Sequence, residues 1–440
     1  MSLNDDLARQ LAAARARTLA LLEPLAECDL LVQHDALMSP LVWDLAHVGN
    51  YEDLWLLRAL SVPGVGERYD DLYDAFRHPR RTRSSLPLLG PEAARGYLRE
   101  VRERAVGHLA SLTPESLAGR DPLLADGFVY SMVVQHEHQH DETILATLQL
   151  MASPGYRAPA MGVPPAAAEA PLGGAVDVPS EVFVDGGPFV MGTSDHPSAY
   201  DNERPAHVVD VPAFWIDTTP VTNQIYAAFV DGGGYGDARW WTTEGWAWRQ
   251  EAGLEHPQFW GRDGSGWARD RFGIVEPLSP HEPVQHVCWY EAEACARFLG
   301  RRLPTEAEWE KAASWDPVAQ HKRRYPWGDA EPTPERANLG QRHLGPAEVH
   351  ALPAGASAYG CLAMLGDVWE WTSSSFTAYP GTVSFPYREY SEVFYGPDYK
   401  VLRGGSWATH PTPVRTTFRN WDYPIRRQIF AGFRCARDAI

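Results

Sequence analysis

Glycine and tryptophan divide this chain near residue 150, and that break limits the fold more than any other feature. Residues 1–150 hold 8 of the 37 Gly and 2 of the 17 Trp. A segment poor in Gly can build long helices, whereas one dense in Gly, Pro and Trp builds turns and irregular packing. Four amphipathic helices are expected in the first part. Asp5–Leu22 is rich in Ala, Leu and Arg, with Pro24 marking its stop. A second helix opens with Ser39 as N-cap and Pro40 at the first helical position, then runs through Leu41, Leu45, Val48, Leu54 and Leu57. Pro91–Leu112 repeats apolar residues every 3.6 positions. The fourth spans Gly127–Met151, with no Pro or Gly after Gly127. The spacing predicts a four-helix bundle over residues 1–152, and bundle cores commonly house metal sites.

Residues 153–179 read as a Pro/Ala/Gly connector, too broken by proline for helix or strand and expected to run extended over the surface. From residue 180 to 440, short β-like runs (182–185 and 207–211) alternate with Gly-, Pro- and Trp-rich turns. Two short helices stand out, Trp289–Leu299 and Thr305–Ser314. The whole is a multidomain chain, α followed by loop-rich α+β, and loops on a rigid scaffold are where a pocket is built.

Charge and targeting exclude several classes. A net charge of −18 opposes binding to nucleic acid or an anionic membrane. No apolar run approaches the roughly 18 residues of a membrane span, and Met1-Ser-Leu-Asn-Asp-Asp lacks the regions of a signal peptide. The five cysteines (Cys28, Cys288, Cys295, Cys361, Cys435) are odd in number and far apart. They match neither a disulfide framework nor a CxxC metal site. A cytoplasmic protein with reduced thiols is expected.

The chemistry is concentrated in Gln135-His136-Glu137-His138-Gln139-His140-Asp141-Glu142. On a helix His136 and His140 share one face, about 5–6 Å apart at Cβ, so two imidazoles can converge on one ion. His138 points to the opposite side. A third ligand must come from elsewhere: His47 lies on a mostly apolar stripe of the second helix, and His34 and His78 compete with it. The string also fits H-E-x-x-H, in which Glu137 would be the general base of a zinc peptidase. That reading lacks its third ligand: position 146 is Ala, and Glu169 is the one acid between Thr143 and Val176. Three neutral imidazoles would suit Fe, Zn or Cu. They leave the full charge on the metal and positions open, which favours an anionic substrate, such as a thiolate, together with O2.

The second part carries specific strings: Gly186-Gly-Pro-Phe-Val-Met-Gly192, Pro220-Val-Thr-Asn223, Pro283-Val-Gln-His-Val287, Arg302-Leu-Pro-Thr-Glu-Ala-Glu-Trp-Glu-Lys-Ala312, Pro326-Trp-Gly-Asp329, Leu365-Gly-Asp-Val-Trp-Glu-Trp371, Arg403-Gly-Gly-Ser-Trp407 and Gly432-Phe-Arg434. In this order they resemble the formylglycine-generating-enzyme (sulfatase-modifying-factor) domain, with its C-type-lectin-like fold. Where that enzyme has its copper-binding cysteine pair, this chain has Thr409 and Val414, so sulfatase activation is not implied. The first part resembles the DinB-like superfamily. The combination is similar to the iron-dependent sulfoxide synthases of ergothioneine biosynthesis, of the type that uses γ-glutamylcysteine. The pieces that carry this are Leu37–His47, the His136/His140/Glu142 string and Phe418–Phe430.

The resemblance implies a set of roles. Fe(2+) would be held by His47, His136 and His140. Gln139, Asn420 and Trp421 would hold hercynine, whose quaternary cation suits an aromatic face. Arg80 and Arg83 would grip the γ-glutamyl carboxylate, a task for guanidinium forks, with Arg81 as a substitute, and Asp422 would meet the substrate ammonium. Tyr387, with Tyr390 beside it, would be the catalytic tyrosine; Tyr379 and Tyr395 are the alternatives in that loop. The site is expected to draw ligands from the first domain and substrate contacts from the second. The implied partners are hercynine, γ-glutamylcysteine and O2, with a monomeric enzyme and neither nucleic acid nor membrane. Two other readings stay open: a sister sulfoxide synthase using cysteine or histidine, and a zinc- or thiol-binding module without oxygen chemistry.

Overall fold

The computed structural model describes residues 2–151, 156, 180–264 and 266–439. It divides into two compact units, one of Met1–Pro159 with Phe272–Ile274 and the other of Ala160–Arg271 with Val275–Ile440. Among the described residues no helix is long and apolar enough to cross a membrane.

The first unit is the expected bundle. Its long helices are α1 (Leu3–Leu22), α2 (Leu41–Glu52), α3 (Pro91–Ser111) and α4 (Phe128–Leu150). Helix α1 is opened by Ser2, whose hydroxyl accepts from Asp5 N while the Asp5 carboxylate accepts from Ser2 N, a capping box. Helix α4 starts at Gly127, where φ is +71° and an added Cβ would lie 2.6 Å from Leu7 Cδ1, so only glycine fits. Leu7, Leu11, Leu45, Leu98, Val101, Leu145 and Leu148 fill the core.

Helix α2 departs from expectation at both ends. Pro40, not Ser39, is the N-cap, with extended backbone (ψ 137°) and no side-chain cap. Its carbonyl accepts from Trp43 N at 2.9 Å. The Ser39 hydroxyl is engaged elsewhere, accepting from Arg83 Nη1 at 2.8 Å. At the far end the helix widens into a π-helical turn, Asp53–Leu57, before a 3-10 turn at Arg58–Leu60. Of the Pro/Ala/Gly connector only Tyr156 is described; 153–155 and 157–179 lie outside the described residues. Against the expected surface path, Tyr156 is buried, and its hydroxyl donates to Leu21 O at 2.6 Å.

One charge from each long helix meets in the bundle interior. Arg15 (α1) reaches Glu137 (α4) at 2.6 Å and Glu52 (α2) at 2.7 Å. Arg102 (α3) contacts the same two carboxylates, Glu137 at 2.7 Å. Both glutamates are fully buried.

The second unit is loop-rich α+β. A three-stranded antiparallel sheet places β4 (Phe214–Asp217) between β1 (Glu181–Val184) and the last strand, β9 (Ala436–Asp438); β2 (Gly187–Met191) and β3 (His207–Val211) form a hairpin. A four-stranded sheet runs in the order β7 (Arg419–Asp422), β6 (Lys400–Arg403), β5 (Trp369–Ser375), β8 (Ala431–Gly432). Helices α5 (Trp289–Phe298) and α6 (Glu306–Ser314) match the two expected short helices, and Thr305 caps α6 in a capping box with Glu308.

The sequence strings are explained by buried ion pairs. Glu306 and Glu310, one turn apart on α6, both receive the fully buried Arg403, at 2.7 and 2.6 Å. Arg419 joins Glu306 at 2.7 Å, and Arg434 pairs with Glu370 at 2.6 Å. Gly404 follows at φ +94°, where a Cβ would meet Met364 O at 2.7 Å.

Two stability predictions follow from these networks. Glu137→Gln leaves two buried guanidinium groups short of one negative charge and should cost about 3–5 kcal/mol, read as an earlier urea transition of the helical signal at 222 nm. Burial alone would raise the Glu310 carboxyl, but Lys322 and Arg403 outweigh it and hold it at about 2, below its ordinary 4.5. A carboxyl depressed in the folded state contributes stability above pH 4.5 and loses it as pH falls toward 2. The loss, about 3 kcal/mol by the usual conversion, should appear in tryptophan fluorescence, since 15 of the 17 Trp lie after residue 150. Glu310→Gln should flatten that acid limb.

Candidate metal centre

Three imidazoles from two helices converge in the bundle. His47 comes from α2, and His136 and His140 come from α4. One nitrogen from each lies within 4.8 Å of the others. Their ring centroids are 5.2 Å (47–136), 4.7 Å (47–140) and 4.6 Å (136–140) apart.

Each ring is held by a neighbour. His47 Nδ1 bonds the Tyr73 carbonyl at 2.7 Å, which makes Nδ1 the protonated nitrogen and leaves Nε2 with its lone pair. Trp43 stacks on the same ring at 4.7 Å and 12°. His140 Nδ1 faces Asp44 Oδ1 at 3.2 Å, the carboxylate–histidine pairing that orients metal ligands. His136 stacks on Tyr51 at 3.7 Å and 12°, and its buried Nδ1 has no hydrogen-bond partner among the described residues. Burial, reinforced by His140, pushes His47 well below its ordinary pKa. Burial, His140 and His47 do the same to His136. Both rings are therefore neutral at pH 7 and can donate lone pairs, the state a divalent metal requires. The donor set fits a three-histidine metal site.

The rest of the string is structural. Glu137 is locked between Arg15 and Arg102 and is 0% exposed. A general base with both oxygens bound to arginines cannot activate water, so the peptidase reading falls. His138, on the other side of α4, pairs with Asp141 at 3.2 Å. Gln139 is half-buried, one turn from His136 on the histidine face. The competitors lie elsewhere: His34 Nε2 bonds Asp29 O at 2.8 Å, and His78 Nε2 is 3.7 Å from Asp71.

Arg80 and Arg83 stand beside this cluster, since both depress His47 through their charge. They differ in burial. Arg83 is buried, stacked 3.5 Å over Trp43, and donates to His78 O, Ser39 Oγ and Ala75 O at 2.9, 2.8 and 3.0 Å. Arg80 is half-buried and reaches Leu37 O at 3.1 Å; Arg81 is exposed.

In the second unit a separate aromatic group forms around strand β7. Trp421 stacks on Phe376 at 4.1 Å and 8°. Tyr390 meets Trp421 edge-on at 6.0 Å, and Tyr387 meets Tyr390 at 6.2 Å. Asn420 and Asp422 flank Trp421 along β7. Asn420 Oδ1 accepts from Trp421 N at 2.8 Å, and Asp422 Oδ1 lies 3.3 Å from Arg426. Tyr379 packs inward between His207 (4.6 Å) and Arg419 (4.2 Å). Tyr395 meets Phe376 at 4.9 Å with the rings tilted by 43°.

Sequence reasoning missed Asp44, Tyr51 and the Tyr73 carbonyl. The signal for the first two was present: Asp44, His47 and Tyr51 recur at helical spacing on one face of α2.

The comparisons with known proteins agree along the whole length. The sulfatase-modifying factor enzyme 1-like domain family matches residues 168–439, and the DinB superfamily matches residues 10–144. The chain is 52% identical to a hercynine oxygenase of Mycobacterium tuberculosis across 100% of both chains. A hercynine oxygenase of Mycolicibacterium thermoresistibile is 53% identical across 98% of this chain and 95% of that one. A formylglycine-generating enzyme of Thermomonospora curvata is 32% identical over 59% of this chain and 93% of that protein.

Replacing His47 by Ala should abolish stoichiometric metal binding, measured as iron or zinc per chain after reconstitution. Asp44→Asn should weaken it by about 10-fold or more, the usual cost of losing such a partner. Glu137→Gln should retain the metal.

Proposed function

The chain belongs to the hercynine oxygenase family, and on that premise we propose that it is a non-haem iron(II)- and O2-dependent sulfoxide synthase of ergothioneine biosynthesis. The observation that carries the reading is the three-histidine cluster, with His47 and His140 oriented by their Nδ1 partners. The proposed limits are a ligand-bearing domain of 1–152 and a substrate-contacting domain of 180–440, joined by 153–179.

The reaction joins the thiol sulfur of γ-glutamylcysteine to the imidazole C2 of hercynine. The sulfur loses its hydrogen, C2 loses its hydrogen, one oxygen atom ends on sulfur and the other leaves as water. Four electrons thus pass to one O2. Iron(II), when bound, supplies the one-electron chemistry that O2 needs to react with these closed-shell partners. His47, His136 and His140 are its ligands. Gln139 and Asn420 offer amide groups to the hercynine imidazole and carboxylate, and Trp421 offers a π face to its trimethylammonium. Arg80 and Arg83 take the γ-glutamyl carboxylate, and Asp422 takes the ammonium. Tyr387 Oη donates a proton to the O2-derived oxygen as the C–S bond forms, with Tyr390 packed beside it. Holding both organic partners in one site removes the entropic cost of their encounter.

The enclosure of Arg83 favours a second reading, in which cysteine replaces γ-glutamylcysteine and Arg80 alone meets its carboxylate. Both readings are tested by anaerobic reconstitution with Fe(II), then exposure to air with hercynine and each thiol. O2 uptake and a product mass equal to the sum of the substrates plus one oxygen minus two hydrogens is the expected result. Neither thiol giving this product would remove the reading. Tyr387→Phe should keep metal and substrate binding and lower the sulfoxide yield by about 100-fold in favour of oxidised thiol.

A further inference from the structure

Tyr387 and Tyr390 stand on the stretch between β5 and β6, where the regular pieces after Phe376 are two 3-10 turns, Arg388–Tyr390 and Glu392–Phe394. A stretch without strand pairing holds a phenol in place only if its ends are tied. Both ends go to one carboxylate. Asp201 Oδ2 accepts from Phe385 N at 3.2 Å, just before Tyr387. Its Oδ1 accepts from Ser391 Oγ at 2.6 Å, just after Tyr390. Asn202 Nδ2 donates to the same Ser391 hydroxyl at 3.0 Å. The ring of Tyr200 stacks on Tyr390 at 4.3 Å and 18°.

This clamp is anchored in turn. Glu203 is buried in an ion pair with Arg415 and accepts from Thr417 Oγ1 at 2.6 Å. Arg419 Nη1 donates to Asn202 O at 2.8 Å, and Arg419 is the first residue of β7, the strand of Asn420, Trp421 and Asp422. Residues 200–203 therefore tie the tyrosine loop to the strand that carries the proposed hercynine contacts. Asp201 is 4% exposed. Burying a carboxyl is costly, and here its bonds from Phe385 N and Ser391 Oγ join the two ends of one loop.

We propose that Asp201 is a positioning residue for C–S bond formation: it pins both ends of the Tyr387–Tyr390 loop so that Tyr387 Oη is held where its proton is needed. The inference rests on the proposed role of Tyr387. Asp201 touches neither substrate nor metal in this assignment.

The test compares the full-length chain with Asp201→Asn, Ser391→Ala and Tyr387→Phe. In the metal-free proteins, hydrogen–deuterium exchange across residues 377–399 should quicken in Asp201→Asn and, less, in Ser391→Ala. In the iron-loaded proteins the ratio of sulfoxide to oxidised thiol should fall about 10-fold in Asp201→Asn, the scale of a sub-ångström misplacement. It should fall less in Ser391→Ala, while KM for hercynine and the thiol stays within about twofold of the parent, since no substrate contact is removed. Ser391→Ala removes one tie without disturbing a buried carboxylate, so it decides the matter if Asp201→Asn does not fold. A ratio unchanged in the folded clamp variants, with Tyr387→Phe shifting it, overturns the inference and leaves the tyrosine assignment standing. A ratio unchanged in Tyr387→Phe overturns both.

Discussion

Four buried charges, one from each long helix, set the geometry on which the three-histidine cluster depends. Arg15, Glu52, Arg102 and Glu137 form a closed square of ion pairs inside the bundle. Such a square is a poor source of stability, because desolvating four charges offsets most of what their attraction returns. Its value lies in what it forbids. Apolar side chains tolerate a helix turned by part of a step, whereas a buried arginine that misses its carboxylate leaves both unpaired. Rotating or sliding α4 by one residue would strand Glu137. With Glu137 pinned, the directions of His136 and His140, about 100° and about 60° round the helix from it, are fixed as well.

Helix α2 carries the matching pattern. Glu52 belongs to the square, while Asp44, His47 and Tyr51 lie on a face that meets α4. Asp44 orients His140, His47 completes the cluster, and Tyr51 covers His136. The same two helices are therefore fixed twice, by charge on one side and by imidazole contacts on the other. The π-helical turn at Asp53–Leu57 begins directly after Glu52. It shifts the phase of the helix there, so residues beyond it owe nothing to the register that the histidines need.

Much of this was legible from the sequence, and the missing parts share one cause. His136 and His140 are neighbours through helical spacing, which is local. The four helices follow from apolar periodicity and from the scarcity of Gly and Trp before residue 150. His47 required a partner helix to acquire meaning, and resemblance selected it where spacing had left His34 and His78 open. Asp44 and Tyr51 share a helix face with His47, but their roles, like that of the Tyr73 carbonyl, depend on contacts with other segments. Ser39 and Pro40 show the converse failure. Their order is a good local cap, but Arg83 takes the Ser39 hydroxyl and tertiary demand wins. In the second unit the strings were recognisable, while their physical purpose, Arg403 joining Glu306 to Glu310, appears only once strand and helix are side by side.

The H-E-x-x-H string shows why a motif is settled by what reaches its side chains. The same five residues, 136–140, would serve a peptidase if Glu137 faced the metal and water. On a helix the residue after a ligand is turned about 100° from it, which leaves room for either outcome. Here two arginines occupy both carboxylate oxygens, and Thr18 adds a hydroxyl at 3.2 Å. Freeing Glu137 for hydrolysis would mean dismantling the square that positions the histidines. The interaction that positions the three histidines is the one that takes Glu137 out of use as a general base, and chemistry at these imidazoles must draw its proton transfers from other residues.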